Sequence, residues 1–134
     1  MARLLQGSCL CGAARYEVPD AFECALICHC SGCRRPTGAA AKPFAGIRAA
    51  SLQVLSQPAA LLRFGGETSF DVHCAACGSL LYSQVRDGLY VHVTLGTLID
   101  EPAIRPSAHI FVASKAGWEV IADDLPRYDA LPPG

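Results

Sequence analysis

A mainly β, single-domain fold with few short helices is predicted by three features of this sequence. At 134 residues the chain has the length of one domain, which argues against two independent cores. Short runs rich in β-branched and aromatic residues recur along it, separated by glycine, proline and aspartate. No stretch of ten or more residues shows a capped amphipathic helical period. The domain is therefore taken as 1–134, with its core over about 7–132.

The first expected strand is Ala13–Val18, closed by the turn formers Pro19-Asp20. Ser51–Ser56 is the second, and Ser69–His73 follows the Gly65-Gly66 break. Ser79–Val85 ends at Asp87-Gly88, which suits a tight turn into Leu89–Leu95. That last run alternates cleanly: its aliphatics face one way, and Tyr90, His92 and Thr94 the other. A period of two marks a sheet with one face on the core. Ala108–Ala113 and Trp118–Ala122 complete the series, separated by Ala116-Gly117. A short helix around Ala39–Ala41 is limited by Pro43 and Gly46, and Leu131-Pro132-Pro133-Gly134 reads as an extended tail.

Composition narrows the function. Hydrophobic residues make up 51% and charged residues 17%, against roughly 25% charged in an average globular protein. Such a chain buries a core and is not a disordered segment. Its net charge of -1 gives no support to nucleic-acid binding or a polybasic membrane surface. The first residues lack a signal-peptide apolar region, and no apolar run reaches the ~18 residues of a spanning helix. A cytoplasmic location is the expectation, where thiols stay reduced and clustered cysteines read as metal-binding or catalytic rather than as disulfides.

There are eight cysteines. Seven fall into three groups: Cys9-x-Cys11-Gly12, Cys28-His29-Cys30-Ser31-Gly32-Cys33 and Cys74-Ala75-Ala76-Cys77-Gly78. The last has zinc-knuckle spacing, with Gly78 letting the backbone turn beneath a metal. A tetrahedral ion there needs two further thiolates, which Cys9 and Cys11 can supply. The competing reading is a pair of reduced core thiols. The middle group supplies three thiolates to one ion, and a site with three protein ligands keeps a position for water or substrate. Its alternative is a closed site with Cys24 as fourth thiolate; otherwise Cys24 is simplest as a buried small hydrophobe.

Arg34 and Arg35 follow the triplet directly and could offset thiolate charge or hold a carboxylate of a bound thiol, unless they form a solvated turn. Thr37 offers a hydroxyl beside them. His29 points away from Cys28 and Cys30 if the backbone there is extended. His73, His92 and His109 read as packed or surface histidines, with His92 and His109 of interest if the sheet brings them near the triplet.

These three cysteine groups, in this order and spacing, resemble the glutathione-dependent formaldehyde-activating (GFA) family, which includes centromere-protein-V-like domains. Gly96-Thr97-Leu98-Ile99-Asp100, Pro106-Ser107-Ala108-His109-Ile110-Phe111, Trp118 and Asp123-Asp124-Leu125-Pro126-Arg127-Tyr128 are similar to the family's closing segments. The resemblance runs from about Gly7 to Pro132. It implies a zinc-stapled β-tent of antiparallel sheets, like that of methionine sulfoxide reductase B, and two zinc ions. Cys9, Cys11, Cys74 and Cys77 would hold a structural zinc, and Cys28, Cys30 and Cys33 a catalytic one. Arg34, Arg35 and Thr37 are the expected substrate contacts.

The reaction implied is condensation of glutathione with formaldehyde to S-(hydroxymethyl)glutathione, a carbon–sulfur lyase activity. A small-molecule thiol and an aldehyde are then the partners, with a homodimer as the candidate assembly and no nucleic acid or membrane. His73 stands where the family often has an aromatic residue, a departure expected to alter packing rather than ligation. Two other classes stay open from the sequence: a non-catalytic zinc-stabilised binding module, and a redox enzyme of the sulfoxide-reductase kind.

Overall fold

Alternating burial along the strands builds two sheets around one main core. The computed structural model describes residues 2–133. Its strands are β1 (Leu4–Ser8), β2 (Arg15–Pro19), β3 (Cys24–Cys28), β4 (Lys42–Arg48), β5 (Gln53–Val54), β6 (Leu61–Gly65), β7 (Phe70–Cys74), β8 (Leu80–Val85), β9 (Tyr90–Thr94) and β10 (His109–Ile110). A three-stranded sheet has the order β1-β2-β5, and a seven-stranded sheet the order β10-β3-β4-β9-β8-β7-β6. All pairs are antiparallel except β10 with β3. The mainly β expectation holds.

The main core lies between the sheets. Leu5, Tyr16 and Val18 of the small sheet meet Ile47, Phe70, Val72, Val91 and Val93 of the large one. Burying an aliphatic or aromatic side chain of this kind stabilises the fold by roughly 1.5–3 kcal/mol. Gly7 is dictated by this packing: a Cβ there would lie 2.0 Å from Tyr16 Cζ. Only a residue without a side chain lets that ring lie against β1. β9 alternates as its sequence requires, with Val91 and Val93 buried and His92 on the other face. A bulge between Val72 and His73 leaves Leu81 as the extra residue of β8, and it too is buried.

Several elements differ from the sequence expectation. Trp118–Ala122 forms no strand, and Trp118 and Val120 are exposed. The apolar content there resembles a strand, but no neighbouring strand pairs with it. Ser51–Ser56 shortens to β5, and Ala108–Ala113 to β10 followed by a 3₁₀ turn at Val112–Ser114. Strands β1, β3, β4 and β6 carry too many cysteines, glycines or prolines, or too little alternation, to stand out locally.

The single α-helix among the described residues, α1 (Ser31–Thr37), sits within the second cysteine group rather than at Ala39–Ala41. It buries no residue and contains Pro36, so neither apolar period nor propensity marks it. Gly38 ends it in the left-handed conformation, with φ 63° and an N–H bond to Arg34 O. No described helix is long and apolar enough to cross a membrane.

Candidate functional site

Packing of one sheet on the other brings the first and third cysteine groups together. Cys9, Cys11, Cys74 and Cys77 place their sulfurs within 4.8 Å of one another. Cys9 follows β1, and Cys74 ends β7. The separations are 3.7 Å for Cys9–Cys11 and 3.8 Å for Cys11–Cys74. A tetrahedral ion with metal–sulfur bonds of about 2.3 Å needs sulfurs about 3.8 Å apart, so the donor set fits zinc.

Hydrogen-bonding groups surround three of the four sulfurs. Ala14 N–H donates to Cys9 Sγ (3.2 Å), and the N–H groups of Ala76 and Cys77 donate to Cys74 Sγ (both 3.4 Å). Ser79 Oγ accepts from Leu10 N–H and lies 3.3 Å from Cys77 Sγ. Contacts to Ser79, hydroxyl first and backbone second, lower the Cys77 thiol to about 5. Gly12 and Gly78, with φ 85° and 83°, provide the two left-handed turns under the cluster.

The second cluster is Cys28, Cys30 and Cys33, also within 4.8 Å of one another, with Cys28 and Cys30 sulfurs 3.4 Å apart. Cys28 ends β3, Cys30 caps α1, and Cys33 lies in its first turn. Cys28 is lowered to about 6, chiefly by the Cys33 side chain and in smaller part by Cys30 and the charge of Lys42. Among the described residues no fourth cysteine, histidine or carboxylate joins this cluster. Cys24 is excluded by geometry. It begins the strand that Cys28 ends, roughly 13 Å away at 3.3 Å per residue. It is also exposed, not a buried hydrophobe, and its sulfur rests against Gly46.

The cluster stands at one end of the outer face of the large sheet, opposite the main core. Register pairs Cys28 with Lys42, and runs a row from Cys24 through Gly46, His92, Ser83 and Asp71 to Phe64. Opposed residues share a face, so these side chains project from the same side. Lys42 is buried there; its Nζ donates to Ser83 Oγ (3.4 Å), and Ser83 donates to Asp71 Oδ1 (2.5 Å). A small apolar group of Cys28, Phe44 and Ile110 underlies the triplet.

Residues 4–114 match the family model described as glutathione-dependent formaldehyde-activating enzyme. The chain belongs to the glutathione-dependent formaldehyde-activating family. Among curated proteins there is no match. Among solved structures, the chain is similar to a crystal structure of a Rhodobacter sphaeroides protein from structural genomics. The two are 28% identical, with a TM-score of 0.59 over 73% of this chain and 91% of the other.

In this GFA-family chain the three expected substrate contacts part company. Arg34 turns back on the fold, its Nε donating to His29 O (3.3 Å) and its Nη2 to Ser114 O (3.5 Å). Thr37 donates to Cys33 O at 2.7 Å, closing the last turn of α1. Arg35 is exposed and lines a groove between α1 and strands β6 and β7.

Histidines form a buried chain that their spacing does not suggest. His29 Nε2 meets His109 Nδ1 at 2.8 Å, and His109 Nε2 meets Asp123 Oδ2 at 2.9 Å. With a neutral His109 donating Nε2–H to Asp123, its Nδ1 accepts from His29 Nε2–H, which leaves His29 Nδ1 as a bare acceptor. That atom is buried with no partner. The chain ties the loop carrying Cys28 and Cys30 to β10 and to the C-terminal segment. His73 bonds Gly78 O at 3.1 Å and stays outside both clusters.

Two residues escape sequence reasoning: Lys42 on the outer face and Asp123 at the end of the histidine chain. Lys42 is one of only two lysines, which is a faint signal. His92 is stacked on Phe44 at 4.1 Å, and burial, then the charges of Lys42 and Arg86, hold it down to about 4 from an ordinary 6.5. Between those values the unfolded chain binds the proton and the folded chain does not, so stability falls as pH drops from 6.5 towards 4. Urea unfolding at pH 7 and pH 4.5 should show His92→Phe losing about 2 kcal/mol less than the parent. Equal losses would mean that His92 titrates normally.

Proposed function

We propose that residues 1–134 act as a zinc-dependent carbon–sulfur lyase domain. It takes glutathione or a similar thiol at Cys28, Cys30 and Cys33 and joins it to formaldehyde or a related aldehyde. Two zinc ions per chain are part of this reading, one at each cluster. The observation that carries it is the contrast between a four-cysteine set anchored in the main core and a three-cysteine set on an outer face beside a groove. Closed shells serve structure; three protein ligands leave room for a substrate atom.

Zinc bound at the triplet supplies a positive centre at which a thiol persists as thiolate at neutral pH. The chain's own residues do the rest. Cys28, Cys30 and Cys33 present three sulfurs from one side, and the carbonyl groups of Cys30 and Cys33 are held within α1. Lys42, buried on the same face, places a cation where four thiolates around a divalent ion would leave net negative charge. Arg35, exposed at the groove, would meet a carboxylate of the thiol. The reaction forms one bond, from thiol sulfur to aldehyde carbon. The carbonyl pair moves to oxygen, which takes up the proton that the thiol released.

Titrating the zinc-loaded protein with glutathione should release about one proton per thiol bound at pH 7. The zinc absorption edge should shift at the same stoichiometry, reporting a fourth sulfur at one of the two ions. A binding module with two structural ions would show neither change. An unchanged edge with no proton release therefore removes a thiol as the ligand of the triplet.

A further inference from the structure

The groove beside α1 has the chemistry of a receptor for one end of that thiol. It is lined by Ser31, Gly32 and Arg35 of α1 on one side, and by Phe64, Asp71 and His73 of β6 and β7 on the other. Ser31 and Gly32 lie two and one residues before Cys33, so the groove opens next to the triplet. Gly32 carries nothing to narrow it: even a Cβ there would come no closer than 3.8 Å to Cys30 Sγ.

Opposite charges face this space without meeting. Arg35 and Asp71 form no ion pair with each other, and among the described residues Arg35 has no hydrogen-bond partner. Asp71 is braced from behind. Its Oδ1 accepts from Ser83, which in turn accepts from buried Lys42, while Oδ2 carries no bond from another described residue. Phe64 adds an aromatic wall that is 76% exposed. A fixed carboxylate and a free guanidinium on facing walls match a group bearing both an ammonium and a carboxylate.

We propose that this groove binds the α-amino-acid head group of the thiol substrate, with Asp71 receiving the ammonium and Arg35 the carboxylate. The inference rests on the reading that the triplet takes a thiol sulfur. What it adds is the pair of residues that tells a zwitterionic thiol from a simple one: Asp71 and Arg35, on facing walls of the groove.

Calorimetric titration of the zinc-loaded protein with glutathione, N-acetylglutathione and 2-mercaptoethanol tests it. Acetylation removes the ammonium and keeps the carboxylates and the thiol. For the parent protein it should weaken binding by about tenfold or more, the worth of a charge-assisted hydrogen bond. Asp71→Asn keeps the Ser83 bond and should bind both peptides alike, at about the affinity of acetylated peptide for the parent. Arg35→Gln should weaken both peptides by a similar factor. An acetylation penalty of the same size in Asp71→Asn, or none in the parent, overturns the proposal. If 2-mercaptoethanol and both peptides all fail to bind, the thiol reading itself falls and this inference with it. Binding of 2-mercaptoethanol as tight as that of glutathione overturns the head-group site alone.

Discussion

Cys74→Ser is expected to unfold the domain. Cys74 is 1% exposed and sits in the main core, where its sulfur also receives the N–H groups of Ala76 and Cys77. It ends β7, while Cys9 and Cys11 follow β1, so an ion held at this cluster would join the two sheets. Structural zinc contributes on the order of 10 kcal/mol or more to small domains, whereas a whole domain is stable by only about 5–15 kcal/mol. Losing a thiolate from a shell of four therefore removes most of the margin. Circular dichroism and zinc content of the purified variant give the measurement. A variant that melts within a few degrees of the parent would show that this cluster does not hold the sheets together.

Cys33→Ser should behave in the opposite way. The variant is expected to stay folded, to carry one zinc fewer than the parent, and to bind glutathione at least about a hundredfold more weakly. Cys33 lies on a seven-residue helix that buries nothing, above a small apolar group separate from the main core. Its loss costs local packing, of the order of 1–3 kcal/mol. Metal analysis, melting and thiol titration on one preparation separate the outcomes. Should Cys33→Ser unfold as fully as Cys74→Ser, the triplet is structural and the lyase reading does not survive.

The two cysteine clusters were legible in the sequence because ligand chemistry is local in kind. Cysteine spacing of two or three residues limits where sulfurs can point, and a zinc shell accepts few donor counts. The same holds for β9, where strict alternation reports one buried face. Helix α1 was not legible. Its seven residues contain Pro36 and Gly32 and no apolar stripe, so neither propensity nor period favours it, and its Cys30-capped start and Gly38 end frame it only once the fold is known. Trp118–Ala122 misled for the converse reason: apolar residues imply a strand only where another strand is available to pair with them.

By itself the sequence determined the mainly β class, the division of the cysteines into four, three and one, and the family these groups indicate. Tertiary structure alone decided that Cys24 lies a strand's length from the triplet, and that Lys42 stands opposite Cys28. It also brought His29 to His109 and Asp123, and Arg35 across a groove from Asp71. These pairings join residues up to tens of positions apart, and they depend on strand order and register. A shift of one residue in register would turn Lys42, Asp71 or His109 to the other face of the sheet. Local periodicity records that a strand has two faces; only the packed sheets decide which polar residues share one, and so where the chemistry of this protein can gather.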